Sequence, residues 1–189
     1  MAQSLSAQFF KLSCAEKTWV IAHLFKAKKA FNITKEAREE TKIVLQQNLL
    51  DTFPHGGRLD AFRHTYWMAR LTQCIGSRAA RRLGKAHEKG NYRSFRKGRT
   101  EDGFLQDQTA VEMDLFNNDQ GIKIGKDNSQ GTCDSLKTIV ISAIHNGQLK
   151  ILKRSESGRL ISCEGEIVNT SNRGKKDWKL PYCLISSNQ

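Results

Sequence analysis

Between positions 13 and 146 the apolar residues recur every three or four places, and that spacing stops at Gly147. Beyond it they come in short runs, Leu149 and Ile151, Leu160-Ile161, Ile167-Val168 and Leu184-Ile185, separated by Ser, Gly and Asn. The first pattern is helical and the second belongs to short strands. Isolated amphipathic helices are marginal in water, so several must pack on one another. The expected fold class is mainly α: a compact helical domain of about six helices with a small C-terminal β-hairpin appendage. The helical domain, 1–147, carries the candidate site, and 148–189 packs on it as a β-rich appendage.

Local signals divide the helical part. Ser13 with Glu16 makes a capping box for a helix over 13–31, with Trp19, Val20, His23, Leu24, Ala27 and Phe31 on one stripe. Thr34 is read as the cap of a second helix. Residues 51–57, with Pro54, Gly56 and Gly57, form a turn. A third helix covers about 59–75 and ends at Gly76, and a basic fourth covers about 77–89. Residues 90–103 read as a polar loop. Two more helices cover about 106–124 and 133–146.

Charge is concentrated. The chain has 31 Lys and Arg against 19 Asp and Glu, a net +12. Residues 58–99 alone hold 12 bases against Asp60 and Glu88, and residues 101–119 hold six acids and no base. Such a basic block favours an anionic partner, nucleic acid included. No run of 18 apolar residues exists, so no transmembrane helix is expected. The first 25 residues lack an early basic region, and His23 interrupts their best apolar run. A chain made in the cytoplasm without a cleavable signal is expected, retained there or exported into a target cell or its periplasm by a machine that needs none. None of the five cysteines forms a CxxC pair, which argues against a zinc ribbon. Reduced, unrelated thiols are the leading expectation, with Cys163 and Cys183 able to pair in an oxidising compartment.

Three strings carry candidate chemistry. In HGGRLDAFRHTYW, Asp60 and His64 are four apart and share a helix face with Trp67 and Leu71. That face should point inward, where an unbonded polar group costs about 2–7 kcal/mol. The pair can share a divalent metal ion, or the carboxylate can hold the imidazole for general base work. His55 precedes them in the flexible Gly turn. The second string is His87-Glu88, expected at a helix C-terminus, where His87 can also simply complement the dipole. The third is EMDLFNNDQG, which puts Asp114, Asn117 and Asn118 on one face and Glu112 nearly opposite. The plainer alternative for these groups is buried polar pairing that locks helix packing. Three strings on three helices can converge inside a bundle.

Together, HGGRLDAFRHTYW, AHE, EMDLFNNDQG and NGQLKIL resemble a bacterial domain family of unknown function with HxGxxDAFRHxYW, HE and MDLxNNxxG motifs, over about residues 50–153. Members occur alone and at the C-termini of wall-associated or Rhs-type proteins. That setting implies a toxin-like effector in interbacterial competition, delivered by secretion machinery such as type VI and matched by a cognate immunity protein. Two departures stand out: Phe116 replaces an expected His, and 90–103 looks like an insertion.

The resulting expectation is a hydrolase acting on an anionic, phosphate-bearing substrate, with a cell-envelope lipid or lipid-linked precursor favoured. Its catalytic candidates are His64, Asp60, Asp114 and His55. Arg63, Asn117, Asn118 and Tyr66 are the substrate-binding candidates. Asp60, His64, His87, Glu88 and Asp114 are the candidate ligands for a divalent metal ion. The alternative is a non-catalytic basic module that binds nucleic acid or an anionic membrane.

Overall fold

The computed structural model describes residues 9–100, 104–170 and 177–189. Glu101 and Asp102 of the acidic segment lie outside them. Among the described residues the chain runs through α1 (Cys14–Ala22), α2 (Leu24–Gln46), α3 (Arg58–Ile75), α4 (Ser77–Arg96), α5 (Gln108–Asp127), α6 (Cys133–His145), β1 (Lys150–Leu152) and β2 (Leu184–Ser186). The mainly helical expectation holds, with a small antiparallel strand pair at the C-terminal end. No described helix is long and apolar enough to cross a membrane.

The capping box is present: Ser13 Oγ accepts from the Glu16 amide, and Glu16 Oε2 accepts from the Ser13 amide. The first helix, however, stops at Ala22. His23 leaves helical geometry at φ −135° and stacks on Trp19, with ring centroids 4.6 Å apart. From Leu24 one helix runs unbroken to Gln46, so Thr34 does not cap a new one. Its hydroxyl instead donates to the Ala30 carbonyl and accepts from Trp67 Nε1. The sequence there offers no Gly or Pro to stop the helix, and tertiary contact takes the hydroxyl a cap would have used.

The fourth helix also outruns its expected end. Residues 90–96, read as loop, are helical, with Asn91 and Phe95 buried. Tyr92 and Phe95 both pack against Trp178, at 4.9 Å between ring centroids. That aromatic contact across the chain offsets the poor helix propensity of the Gly-, Asn- and Ser-containing segment.

Helix α3 is the central element. Thirteen of its residues are buried, and α2, α4, α5 and α6 all pack on it. Its closest neighbour is α5. Gly121 and Gly125, one turn apart, let α5 lie directly on the Thr65 and Ala69 backbone. A β-carbon on Gly121 would collide with the Thr65 carbonyl and stand 2.9 Å from Met68 Cβ.

β1 pairs antiparallel with β2, Ile151 opposite Ile185. The partners are separated by residues 153–183, so they are not joined by a tight turn. Among the described residues the other expected strands make single bridges, Arg154 with Leu160 and Ile161 with Ile167. A disulfide joins Cys163 to Cys183, while Cys14, Cys74 and Cys133 are free thiols. The expectation of five reduced thiols is therefore corrected for this pair: folding brings the segment 160–163 beside β2. Leu149 and Ile151 enter the same apolar core as α3, and Leu152 and Tyr182 pack with Ala110 and Met113 of α5.

Candidate active site

Two carboxylates and an imidazole meet where α3 crosses α5. Asp51 sets the start of α3: its carboxylate accepts from the Arg58 amide at 2.6 Å and the Leu59 amide at 3.2 Å. Asp60 is thereby released from helix capping. Its Oδ2 accepts from the Gly56 amide at 2.7 Å, and Oδ1 turns towards Arg63 and His64. Gly56 has φ +69°, a left-handed conformation, and a β-carbon there would stand 2.8 Å from Leu152. Glycine is required on both counts.

His64 Nε2 lies 3.6 Å from Asp60 Oδ1 and 3.5 Å from Asp114 Oδ1. All three residues are buried, and their donor atoms lie within 4.8 Å of one another. Arg63 Nη2 completes the group, 2.7 Å from Asp60 Oδ1 and 3.4 Å from His64 Nε2. One nitrogen and two carboxylate oxygens from two helices form a donor set able to hold a divalent cation. Equally, two carboxylates and a guanidinium can position an imidazole for proton transfer.

His64 and Arg63 also line a cleft of about 920 Å³ between α1, α2, α3 and α4. Among the described residues, eight Lys and Arg side chains line it, Lys17, Lys28, Arg93 and Lys97 among them, against one acid, Glu16. Apolar side chains, including Phe10, Trp19, Phe31 and Trp67, form much of the rest of its wall. The cleft thus combines positive charge with hydrophobic surface.

His87 faces the same cleft, its ring 6.3 Å from that of His64 and edge-on to Trp67. It sits mid-helix, since α4 continues to Arg96, so the helix-end dipole reading is corrected. Its Nδ1 is 3.1 Å from Glu16 Oε1. Burial pushes the Glu16 carboxyl up, but the hydrogen bond and charge of His87 and the bonds of Ser13 outweigh it. The net result is a carboxyl held below its usual value. Glu16 therefore caps α1 and orients a cleft imidazole with the same side chain. Sequence reasoning saw only the first role, because the second spans 71 residues.

The other candidates go elsewhere. Glu88 is buried and accepts from Asn91 Nδ2 at 3.0 Å. Neither His87 nor Glu88 enters the Asp60–His64–Asp114 cluster. His55 is buried with its ring stacked on Phe104, 5.0 Å between centroids, and its carbonyl accepts from Arg154 Nη2. Tyr66 is fully buried and donates to Glu36 Oε1 on the α2 side, so it is not brought to the cleft. Burial, and then Glu36, raise its phenol well above the usual value.

Asn117 is fully buried and clamps β1: Nδ2 donates to the Lys150 carbonyl, and Oδ1 accepts from the Lys150 amide, both at 2.9 Å. Its amide is committed to the Lys150 backbone. Asn118 is buried against a separate cavity of about 170 Å³, bordered by Met68, Gly84 and the Arg81–Asp119 ion pair. The basic face of α4, with Arg78, Arg81, Arg82, Lys85 and Lys89, is exposed. Arg154 and Asp51 were missed, because each acts on backbone groups from a loop and carries no local motif.

A helical domain with a buried His/Asp cluster behind a basic, partly apolar cleft is the class this fold and site define. Residues 17–148 match a domain of unknown function, DUF6973, and the chain belongs to that family. No solved structure matches the chain.

Proposed function

We propose that this protein is a toxin-like hydrolase of an anionic, phosphate-bearing substrate, with a cell-envelope lipid or lipid-linked precursor as the favoured class. The observation that carries the reading is the Asp60–His64–Asp114 cluster opening through His64 into a basic cleft. A purely structural polar pair would have no need of a cleft lined by eight cations. The positive walls concentrate an anion, and Arg63 is a bidentate-capable donor for phosphate oxygens. The apolar walls suit a substrate with a hydrocarbon part.

In this reading, His64 takes a proton from a water molecule whose oxygen bonds to phosphorus. The ester oxygen departs with a proton from His87, which Glu16 orients. Asp60 and Asp114 hold His64 and stabilise its charged form. A divalent cation bound by Asp60, His64 and Asp114 would instead lower the pKa of bound water and polarise the phosphoryl oxygen. The Cys163–Cys183 disulfide supports action in an oxidising space such as a periplasm. Export machinery and a cognate immunity protein complete the proposal.

The test is inducible expression in the cytoplasm or the periplasm of wild type, His64→Ala and Asp114→Asn. Growth arrest in one compartment, lost in both variants while thermal stability is largely retained, is the expected outcome. Equal toxicity of wild type and variants removes the proposal. The exposed basic face of α4 favours a second reading, a non-catalytic binder of nucleic acid or anionic membrane. Charge reversal at Arg78, Arg81 and Arg82 would then abolish activity while His64→Ala spared it.

A further inference from the structure

The turn between α1 and α2 carries a group of large apolar side chains facing solvent. Ile21 and Leu24 are 64% and 67% exposed, and Phe25 is fully exposed. These three flank the break at His23, where α1 gives way to α2. Three large apolar side chains this exposed within five residues are more than the scattered apolar groups of an ordinary surface.

Its electrostatic setting indicates what it meets. From Lys17 to Lys35 the sequence holds five lysines and no Asp or Glu. Lys28 and Lys29 are exposed and follow Phe25 at helix spacings of three and four, so they border the same face. Lys28 is also four residues from Leu24 and lines the large cleft, as do Lys17 and Phe31. Apolar side chains in a lysine-bearing stretch that holds no acid from 17 to 35 match the acyl and headgroup layers of an anionic bilayer.

We propose that the α1–α2 corner seats this protein on an anionic lipid surface, with Ile21, Leu24 and Phe25 entering the acyl boundary. Lys28 and Lys29 contact lipid phosphates. The cleft mouth then lies beside the membrane. This narrows the substrate to a phosphate carried by a membrane lipid, and for that part it rests on the hydrolase reading.

The experiment is co-sedimentation of the full chain with vesicles of pure phosphatidylcholine or of phosphatidylcholine with 30% phosphatidylglycerol. Wild type is expected to pellet with the anionic vesicles. Leu24→Ser with Phe25→Ser, both exposed and so tolerated by the fold, should weaken partition about tenfold or more. Lys28→Gln with Lys29→Gln should weaken it and flatten its salt dependence. His64→Ala should bind vesicles as wild type does. Failure of wild type to bind, or undiminished binding by the serine variant, overturns the proposal. So does a concentration-dependent dimer lost in that variant, which would make a second copy the occupant. Loss of vesicle binding with His64-dependent toxicity intact sinks this inference alone. Vesicle binding with toxicity indifferent to His64 sinks the hydrolase reading alone.

Discussion

Replacing Gly121 by alanine tests whether the α3–α5 crossing holds the site together. A β-carbon there would stand 2.9 Å from Met68 Cβ and 3.1 Å from the Thr65 carbonyl carbon, and would collide with that carbonyl's oxygen. Carbon atoms rest at about 3.5–4.0 Å, so α5 must move away by roughly half an ångström or more. The obstacle is backbone inside a helix, which cannot rotate aside. Overpacking of this type costs about 1–3 kcal/mol and occasionally more, while alanine in a helix returns about 1 kcal/mol. Because the clash is with backbone, the cost falls at the upper end of that range, and we expect a net loss of about 2 kcal/mol, a fall in melting temperature of about 4–8 °C. Gly84→Ala is the matched control. It gains the same propensity, but its nearest neighbours are Met68 Cε at 3.2 Å and Sδ at 3.3 Å, the end of a flexible side chain. That variant should be neutral or slightly stabilised. Urea unfolding of both variants decides the matter, with histidine NMR reporting whether His64 has moved relative to Asp114. If Gly121→Ala proved as stable as Gly84→Ala, the close crossing would not be what sets the site.

Three further outcomes are expected. Asn117→Ala removes both bonds to Lys150 and leaves that backbone short of partners, at a cost of about 2–4 kcal/mol. Faster hydrogen exchange at the Lys150 amide should accompany the loss, and a change below about 0.5 kcal/mol would contradict the clamp. Reducing the Cys163–Cys183 bond, which spans 20 residues, should lower stability by about 3 kcal/mol without altering helical circular dichroism. Acid should destabilise the fold through Glu16 and Glu36. Burial raises each carboxyl, but His87 and Ser13 in one case and Arg70 in the other bring it below the usual 4.5. The unfolded chain therefore takes up protons first, and stability present above about pH 4.5 is lost as pH falls through the lowered values. Urea midpoints between pH 6 and 3 should drop more gently in Arg70→Gln than in wild type; an unchanged slope would remove Glu36 from the account.

Helix existence was legible because it depends on local period and local caps. The capping box at Ser13, the α3 pattern and the change of period at Gly147 all correspond to observed elements. The polar face of α3 was legible for the same reason: Asp60 and His64 at a spacing of four must lie together on any helix. Asp107 was missed as the cap of α5, although its carboxylate accepts from the Thr109 and Ala110 amides. Asp-x-Thr is a weaker local signal than the Ser13 box.

What lay beyond the sequence depends on partners far along the chain. Thr34 had the chemistry of a cap, yet Trp67 and an uninterrupted helix decided otherwise. Trp178 decided that residues 90–96 would be helical, although their own propensity argues for a loop. Asn117 looked like a ligand group because an inward-facing amide needs a partner, and only folding could supply Lys150 as that partner. Glu16 and His87 meet only because α1 packs on α4. The sequence by itself determined which side chains share each helix face, since that follows from 3.6 residues per turn. Tertiary structure alone decided which faces meet. The cluster exists because Gly121 and Gly125 let α5 approach α3 closely enough for Asp114 to reach His64.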